Sequence, residues 1–222
     1  VDTSSGTGNI TLSGAISSGG SVDIDVSDAG GTFTADSSNT GISAINVNIY
    51  ADNMVLDAGG TGLSATGDVT LETASASRGI SLGAEVGGSL SLTDTELDEM
   101  SASGTLTIGT KSDGGAITVG GALTHGNDLT LLSADTGSGS VTLNADVTAN
   151  GLDFTIDTLG SVYSGASADI DTSGSAIGTA GGAVSITAAG SASLNDIDTT
   201  GAIGAGGSTG GTGGTGTITR TD

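Results

Sequence analysis

Asp94, Glu96, Asp98 and Glu99 fall within six residues and form the densest set of acidic side chains in the 222-residue chain. Hard oxygen donors at that density are what Ca2+ requires. The EF-hand spacing and the Gly-Gly-x-Gly-x-Asp repeat of calcium-binding β-rolls are both absent. Calcium at these four residues is therefore the single metal site to look for, and no other cofactor is called for. Two carboxylate pairs, Asp23 with Asp25 and Asp169 with Asp171, have the i, i+2 spacing that projects both members from one strand face. Glycoside hydrolysis needs such a pair, but the aromatic platforms and basic residues usual in sugar sites are scarce. Only Phe33, Tyr50, Phe154 and Tyr163 are aromatic, and only Arg78, Lys111 and Arg220 are basic. His125 is the only histidine, lies in Thr124-His125-Gly126-Asn127, and is expected in a solvent-exposed turn. One histidine cannot build a His-rich metal site. No catalytic residue is assigned, and the chain is expected not to be an enzyme.

The elements that position these groups follow from a repeat. Ile-Thr-Val-Gly-Gly-Ala-Leu-Thr from Ile117 matches Val-Thr-Leu-Asn-Ala-Asp-Val-Thr from Val141, 24 residues later. The same apolar spacing occurs at Ile80, Leu82 and Val86 and at Ile10, Leu12 and Ile16. A second alternating pair follows each copy: Val22 and Ile24, Leu90 and Leu92, Leu129 and Leu131, Phe154 and Ile156. Alternation at period two marks half-buried strands. These strands are short and bounded by Gly, Asn, Asp or Ser, so none can bury its apolar face alone. Stacked coils solve this, with Gly and Asn supplying the positive φ of tight corners. An antiparallel sandwich shares the short-strand signature, but the matched copies and the lack of large core residues favour an all-β, parallel β-solenoid. About 22 to 24 residues per coil gives roughly nine or ten coils, a rod of some 45 Å at about 4.8 Å per coil.

The repeats are expected to occupy residues 1–203, with an acidic insertion at 93–103 that is either a loop or one helical turn carrying Leu97 and Met100. Residues 204–222 form a Gly/Thr-rich loop or linker ending in a short strand around Thr217-Ile218-Thr219. Thr-x-Thr pairs at Thr32 and Thr34, Thr93 and Thr95, Thr105 and Thr107, and Thr217 and Thr219 bring to mind the flat hydroxyl faces of ice-binding solenoids. Their spacing is irregular, and the β-propensity of Thr accounts for them.

Composition narrows the function classes. Gly is 42 of 222 residues, and Pro, Cys and Trp are absent. The net charge of −22 repels nucleic acid phosphates and anionic membranes. No apolar run approaches the length of a transmembrane helix, so membrane insertion is not expected. Of 25 acidic residues 21 are Asp, whose short carboxylate suits bonds to nearby backbone N–H groups.

The run Gly139-Ser140-Val141-Thr142-Leu143-Asn144-Ala145-Asp146-Val147-Thr148-Ala149-Asn150-Gly151-Leu152 resembles the repeats of filamentous-haemagglutinin-like adhesins of the two-partner secretion type. Gly182-Ala183-Val184-Ser185-Ile186-Thr187-Ala188-Ala189-Gly190 is similar to another of their coils. The resemblance implies a right-handed parallel β-helix, export from a Gram-negative cell, and a role in adhesion or surface fibres. The Asn-Pro motifs of that family's secretion domain are missing, so the chain corresponds to a repeat segment. The expected function is an extracellular structural or adhesive rod at the bacterial cell surface. Its partners would be its own kind, joined end to end or as a longer chain, and a host or cell-surface receptor. The alternatives are a polysaccharide-acting β-helix enzyme and an ice-binding solenoid.

Overall fold

The computed structural model describes residues 8–27, 29–35, 41–56, 62–137, 140–204 and 209–221. The strands run in chain order as β1 (Ile10–Thr11), β2 (Ile16–Ser17), β3 (Val22–Asp25), β4 (Thr32–Ala35), β5 (Ile42–Ala44), β6 (Val47–Tyr50), β7 (Asn53–Leu56), β8 (Leu63–Ala65) and β9 (Val69–Glu72). A second group is β10 (Ile80–Leu82), β11 (Leu90–Leu92), helix α1 (Asp94–Asp98), β12 (Met100–Ala102), β13 (Thr105–Thr110), β14 (Ile117–Val119), β15 (Leu123–Thr124) and β16 (Asp128–Ser133). The last group is β17 (Val141–Leu143), β18 (Val147–Thr148), β19 (Phe154–Thr158), β20 (Val162–Ser164), β21 (Ile170–Asp171), β22 (Val184–Ala188), β23 (Ala192–Ser193), β24 (Ile197–Asp198) and β25 (Gly216–Arg220).

All strand pairs are parallel, and with the exception of β10 with β11 they join equivalent strands of neighbouring coils, so the fold is a three-faced β-solenoid. One face is an uninterrupted eight-stranded sheet in the order β25-β22-β19-β16-β13-β9-β6-β3. The second consists of β1-β4-β7 and β11-β10-β14-β17-β20-β23, and the third of β12-β8-β5-β2 and β15-β18-β21-β24. The repeat register read from the sequence holds: Ile117 pairs with Val141 and Val119 with Leu143, then Leu123 with Val147.

The core is a stack of aliphatic layers. Along the long sheet, Val47, Val69, Leu106, Leu129, Phe154 and Val184 form one inward column, and Ile24, Ile49, Leu71, Ile108, Leu131, Ile156 and Ile186 the next; all are buried. Strand spacing of about 4.8 Å sets one such side chain directly on another, which branched aliphatics fill without aromatic bulk. A third inward position holds hydroxyls: Thr110, Ser133 and Thr158 stack in register, and the Ser133 hydroxyl donates to the Gly115 carbonyl at 2.9 Å.

Among the described residues the long sheet makes eight turns, fewer than the nine or ten expected, and spans roughly 34 Å at strand spacing. The reason is that coil length is not constant. Successive corner residues of this sheet are 25 and 22 residues apart early on, then 37 between Asp68 and Thr105 and 30 between Asp153 and Ala183.

The 37-residue coil contains a dislocation. Leu90 and Leu92 do not begin the next face, as their alternation implied. They lie in β11, on the same face as β10 and beside it, with Ile80 opposite Leu90. Val86, matched in sequence to a core position, is 48% exposed in the connecting loop. The second face thus gains a strand that the long sheet lacks. The third face takes up the difference with α1, which packs between β12 and β15 and separates that face into two sheets. Gly83, at the reversal after β10, has φ +74°, and a methyl group there would run into the Gly121 carbonyl of the next coil. The corner after β18 uses Asn150 at φ 49° and Gly151 at φ 90°.

Candidate functional site

The acidic insertion builds α1 from its own sequence. Thr93 caps the helix, its hydroxyl accepting from the Glu96 N–H at 3.3 Å, while the Glu96 carboxylate accepts from the Thr93 N–H at 2.9 Å. This reciprocal capping box satisfies two helix-end donors. The other Glu96 oxygen accepts from the Leu56 N–H at 3.2 Å, and Leu97 is buried beneath the helix. Asp94 accepts from the Thr124 N–H at 2.7 Å, tying the helix to β15. Asp98 is exposed; partial desolvation, and then the charges of Asp94 and Glu99, raise its pKa. The four expected calcium ligands therefore divide: Glu96 turns back onto the backbone, and Asp94, Asp98 and Glu99 remain electrostatic neighbours. Among the described residues no group of three His, Cys, Asp or Glu side chains could hold a metal ion.

His125 departs from the exposed turn expected for it. It is 3% exposed, because the alternation of β15, Leu123 in and Thr124 out, carries on for one more residue. Its Nδ1 lies 2.7 Å from the Asn127 carbonyl, which can only accept and so places the proton there. The ring packs at 6.4 Å and 44° against Phe154 of the next coil. Nε2 is buried and has no hydrogen-bond partner among the described residues. Burial lowers the pKa of this histidine, against opposing effects from the Asn127 carbonyl, Asp128 and Asp94, so the neutral ring is the folded form. Asn127 beside it is also buried, donating to the Met100 carbonyl at 3.0 Å and accepting from the Ala102 N–H at 2.8 Å.

The abundance of Asp has a tertiary explanation. Local turns use some of them, as Asp171 does with the Ser173 N–H and Asp198 with the Thr200 N–H, both at 2.8 Å. Many others reach across coils. Asp68 accepts from the Thr105 N–H at 2.9 Å, Asp128 from the Asp153 N–H at 2.9 Å, Asp153 from the Ala183 N–H at 2.7 Å and Asp146 from the Asp169 N–H at 3.0 Å. Each corner carboxylate thereby continues the ladder where the backbone bends. Asp169 and Asp171 belong to a strip with Asp146, Asp196 and Asp198 along the third face.

Two residues the sequence left unmarked anchor the dislocation. Asp52 is fully buried and accepts from the Gly30 N–H at 2.6 Å, the Ser75 N–H at 2.7 Å and the Ser75 hydroxyl. Burial opposes its charge, yet the Ser75 and Gly30 hydrogen bonds and the Arg78 charge together lower its pKa. Arg78 is 3.8 Å from Asp52 and donates to the carbonyls of Asp52 and Ser89 and to the Asn53 side chain. It thus joins β7 to the loop before β11. An isolated Asp and an isolated Arg 26 residues apart carry no motif that would have found them.

Asp23 and Asp25 lie on the outer side of the long sheet, opposite Asn48 and Tyr50 of β6. With Thr70 and Glu72 of β9 they surround a cleft of about 280 Å³. The Thr pairs scatter over three settings: β4 on the second face, the helix cap and first turn, and the long sheet. The long sheet does hold one outward hydroxyl column, Thr70, Thr107, Thr130, Thr155, Ser185 and Thr217. The adjacent column is Glu72, Gly109, Leu132, Asp157, Thr187 and Thr219, too mixed and charged for a flat two-column hydroxyl array. No helix among the described residues is long and apolar enough to cross a membrane. In comparisons with known proteins, the chain matches no family model, no curated protein and no solved structure.

Proposed function

We propose that this chain is a rigid rod segment of an extracellular structural or adhesive fibre at a bacterial surface, extended along its axis by strand addition. The supporting observation is the edge of the long sheet at β25. Among the described residues β25 pairs with β22 on one side only, and all five of its residues are exposed. Ile218 is 55% exposed, whereas its register partner Ile186 is fully buried. A parallel edge with a half-built core layer is a template for another strand. The resemblance to filamentous-haemagglutinin-like repeats fits the same role, as does the surface charge, which holds rods apart sideways and directs growth along the axis. The function is mechanical: load passes through the hydrogen-bond ladders that run from coil to coil.

Electron microscopy of the natural material tests this reading. Thin, unbranched fibres a few nanometres wide are expected, and Ile218→Asp, which puts a carboxylate in the joining layer, should shorten them. Compact discrete particles would overturn it.

A further inference from the structure

We propose that the cleft on the long sheet over β3, β6 and β9 is a docking site for a basic polypeptide segment of a partner protein, one arginine or lysine side chain lying along its floor. The inference concerns the flank of the rod and does not depend on how its ends join. The floor is formed by the ring of Tyr50 and by the backbone of β3 and β6 at Ile24 and Ile49, whose side chains face the core, and the walls by Asp23, Asp25, Glu72 and the polar Asn48 and Thr70. An aromatic floor with an anionic rim is complementary to a long aliphatic stem that ends in a cation. The Tyr50 hydroxyl donates to the Ala74 carbonyl at 3.1 Å, which holds the ring across the coils. A tyrosine ring so placed can attract a cation over its face.

The charge here is not balanced from within. Burial raises the pKa of Tyr50, and the next causes are Asp113, Glu72, Asp25 and Asp52, all anionic. Glu72 is likewise raised by burial and then by Asp113. The chain's own cations are engaged or placed elsewhere. Arg78 holds Asp52, Lys111 meets Asp157 at 2.7 Å, and Arg220 ends β25 at the opposite edge of the sheet. A guanidinium or ammonium group entering the cleft would meet three carboxylates and a π face. A neutral sugar would gain from the ring alone, with carboxylates to desolvate, and an anionic glycan would be repelled.

The probe is a blocked hexapeptide of alternating Arg and Gly, with its Lys and Gln counterparts, titrated calorimetrically into the whole chain. Saturable binding of the Arg and Lys peptides and none of the Gln peptide is expected. Asp25→Asn with Glu72→Gln should weaken binding about tenfold, and Tyr50→Leu about two- to fivefold. Asp171→Asn with Asp198→Asn removes the same two charges from the third face and should change affinity less than about twofold. If the double variant melts early, Glu72→Gln alone, which preserves volume, serves in its place. Equal weakening by the two charge-removing pairs would reduce the effect to diffuse attraction and overturn the proposal, as would binding of a neutral hexasaccharide in preference to the Arg peptide. Fibres formed by the cleft variants would be unchanged under the microscope, so this inference and the axial one fail separately.

Discussion

Replacing Asp52 with alanine removes the acceptor that the dislocation is built around. Three donor groups then lose their acceptor, the Gly30 N–H, the Ser75 N–H and the Ser75 hydroxyl, and Arg78 loses its carboxylate at 3.8 Å. A hydrogen bond to a charged group contributes about 1.5–3 kcal/mol, and such bonds to one acceptor do not add. Breaking a buried pair by deleting one partner costs about 3–5 kcal/mol. Arg78 keeps its carbonyl acceptors, so the lower half of that range applies, about 3–4 kcal/mol at neutral pH. Urea unfolding followed by circular dichroism measures it. The pH dependence supplies the second arm. The folded pKa of Asp52 lies below its unfolded value of about 3.9, so its contribution is present above that value and is lost as pH falls through the folded pKa. The gap between wild type and Asp52→Ala should therefore be constant from pH 7 to about pH 5 and narrow steadily below about pH 4. A gap under about 1 kcal/mol at neutral pH, or one that persists unchanged at pH 2, would refute the assigned role.

Leu131→Ala empties a layer between Ile108 and Ile156 that ladder spacing prevents from collapsing, and should destabilise by about 3–4 kcal/mol; Thr130→Ala, on the outer side of the same strand, should cost less than about 1 kcal/mol, and equal losses would contradict the inward–outward assignment. His125 has a depressed folded pKa, so its contribution is full above its unfolded value of about 6.5 and falls away as pH drops through the folded value; wild type should lose urea resistance below about pH 6.5, and His125→Leu should flatten that slope. Chelator should move the melting temperature little, since Glu96 is committed to its capping box; a drop beyond about 4 °C, equivalent to about 1–2 kcal/mol, would show bound metal to be integral to the fold.

Much of the architecture was set by local pattern. Period-two alternation at Leu129 and Leu131 or Phe154 and Ile156 is a property of consecutive residues, and the match of Ile117–Thr124 to Val141–Thr148 carried the register between coils. Thr93 and Glu96 likewise sit at capping-box spacing. What sequence could not settle is which coil a strand joins, because alternation says that a strand has an inner side and nothing about its neighbour. Leu90 and Leu92 alternate just as Leu129 and Leu131 do, yet they double the second face, and the difference lies in Gly83 turning the chain back and Arg78 holding β11 beside β7. Among the described residues the long sheet has one strand fewer than the second face for the same reason. Asp23 and Asp25 were legible as a pair, whereas Tyr50 and Glu72 reach them only through the parallel register. His125 shows the converse: its glycine and asparagine neighbours mark a turn, but the side chain of a corner residue points inward or outward according to the strand it leaves. Local composition thus determined a stack of short strands, and only long-range pairing decided which side chains meet.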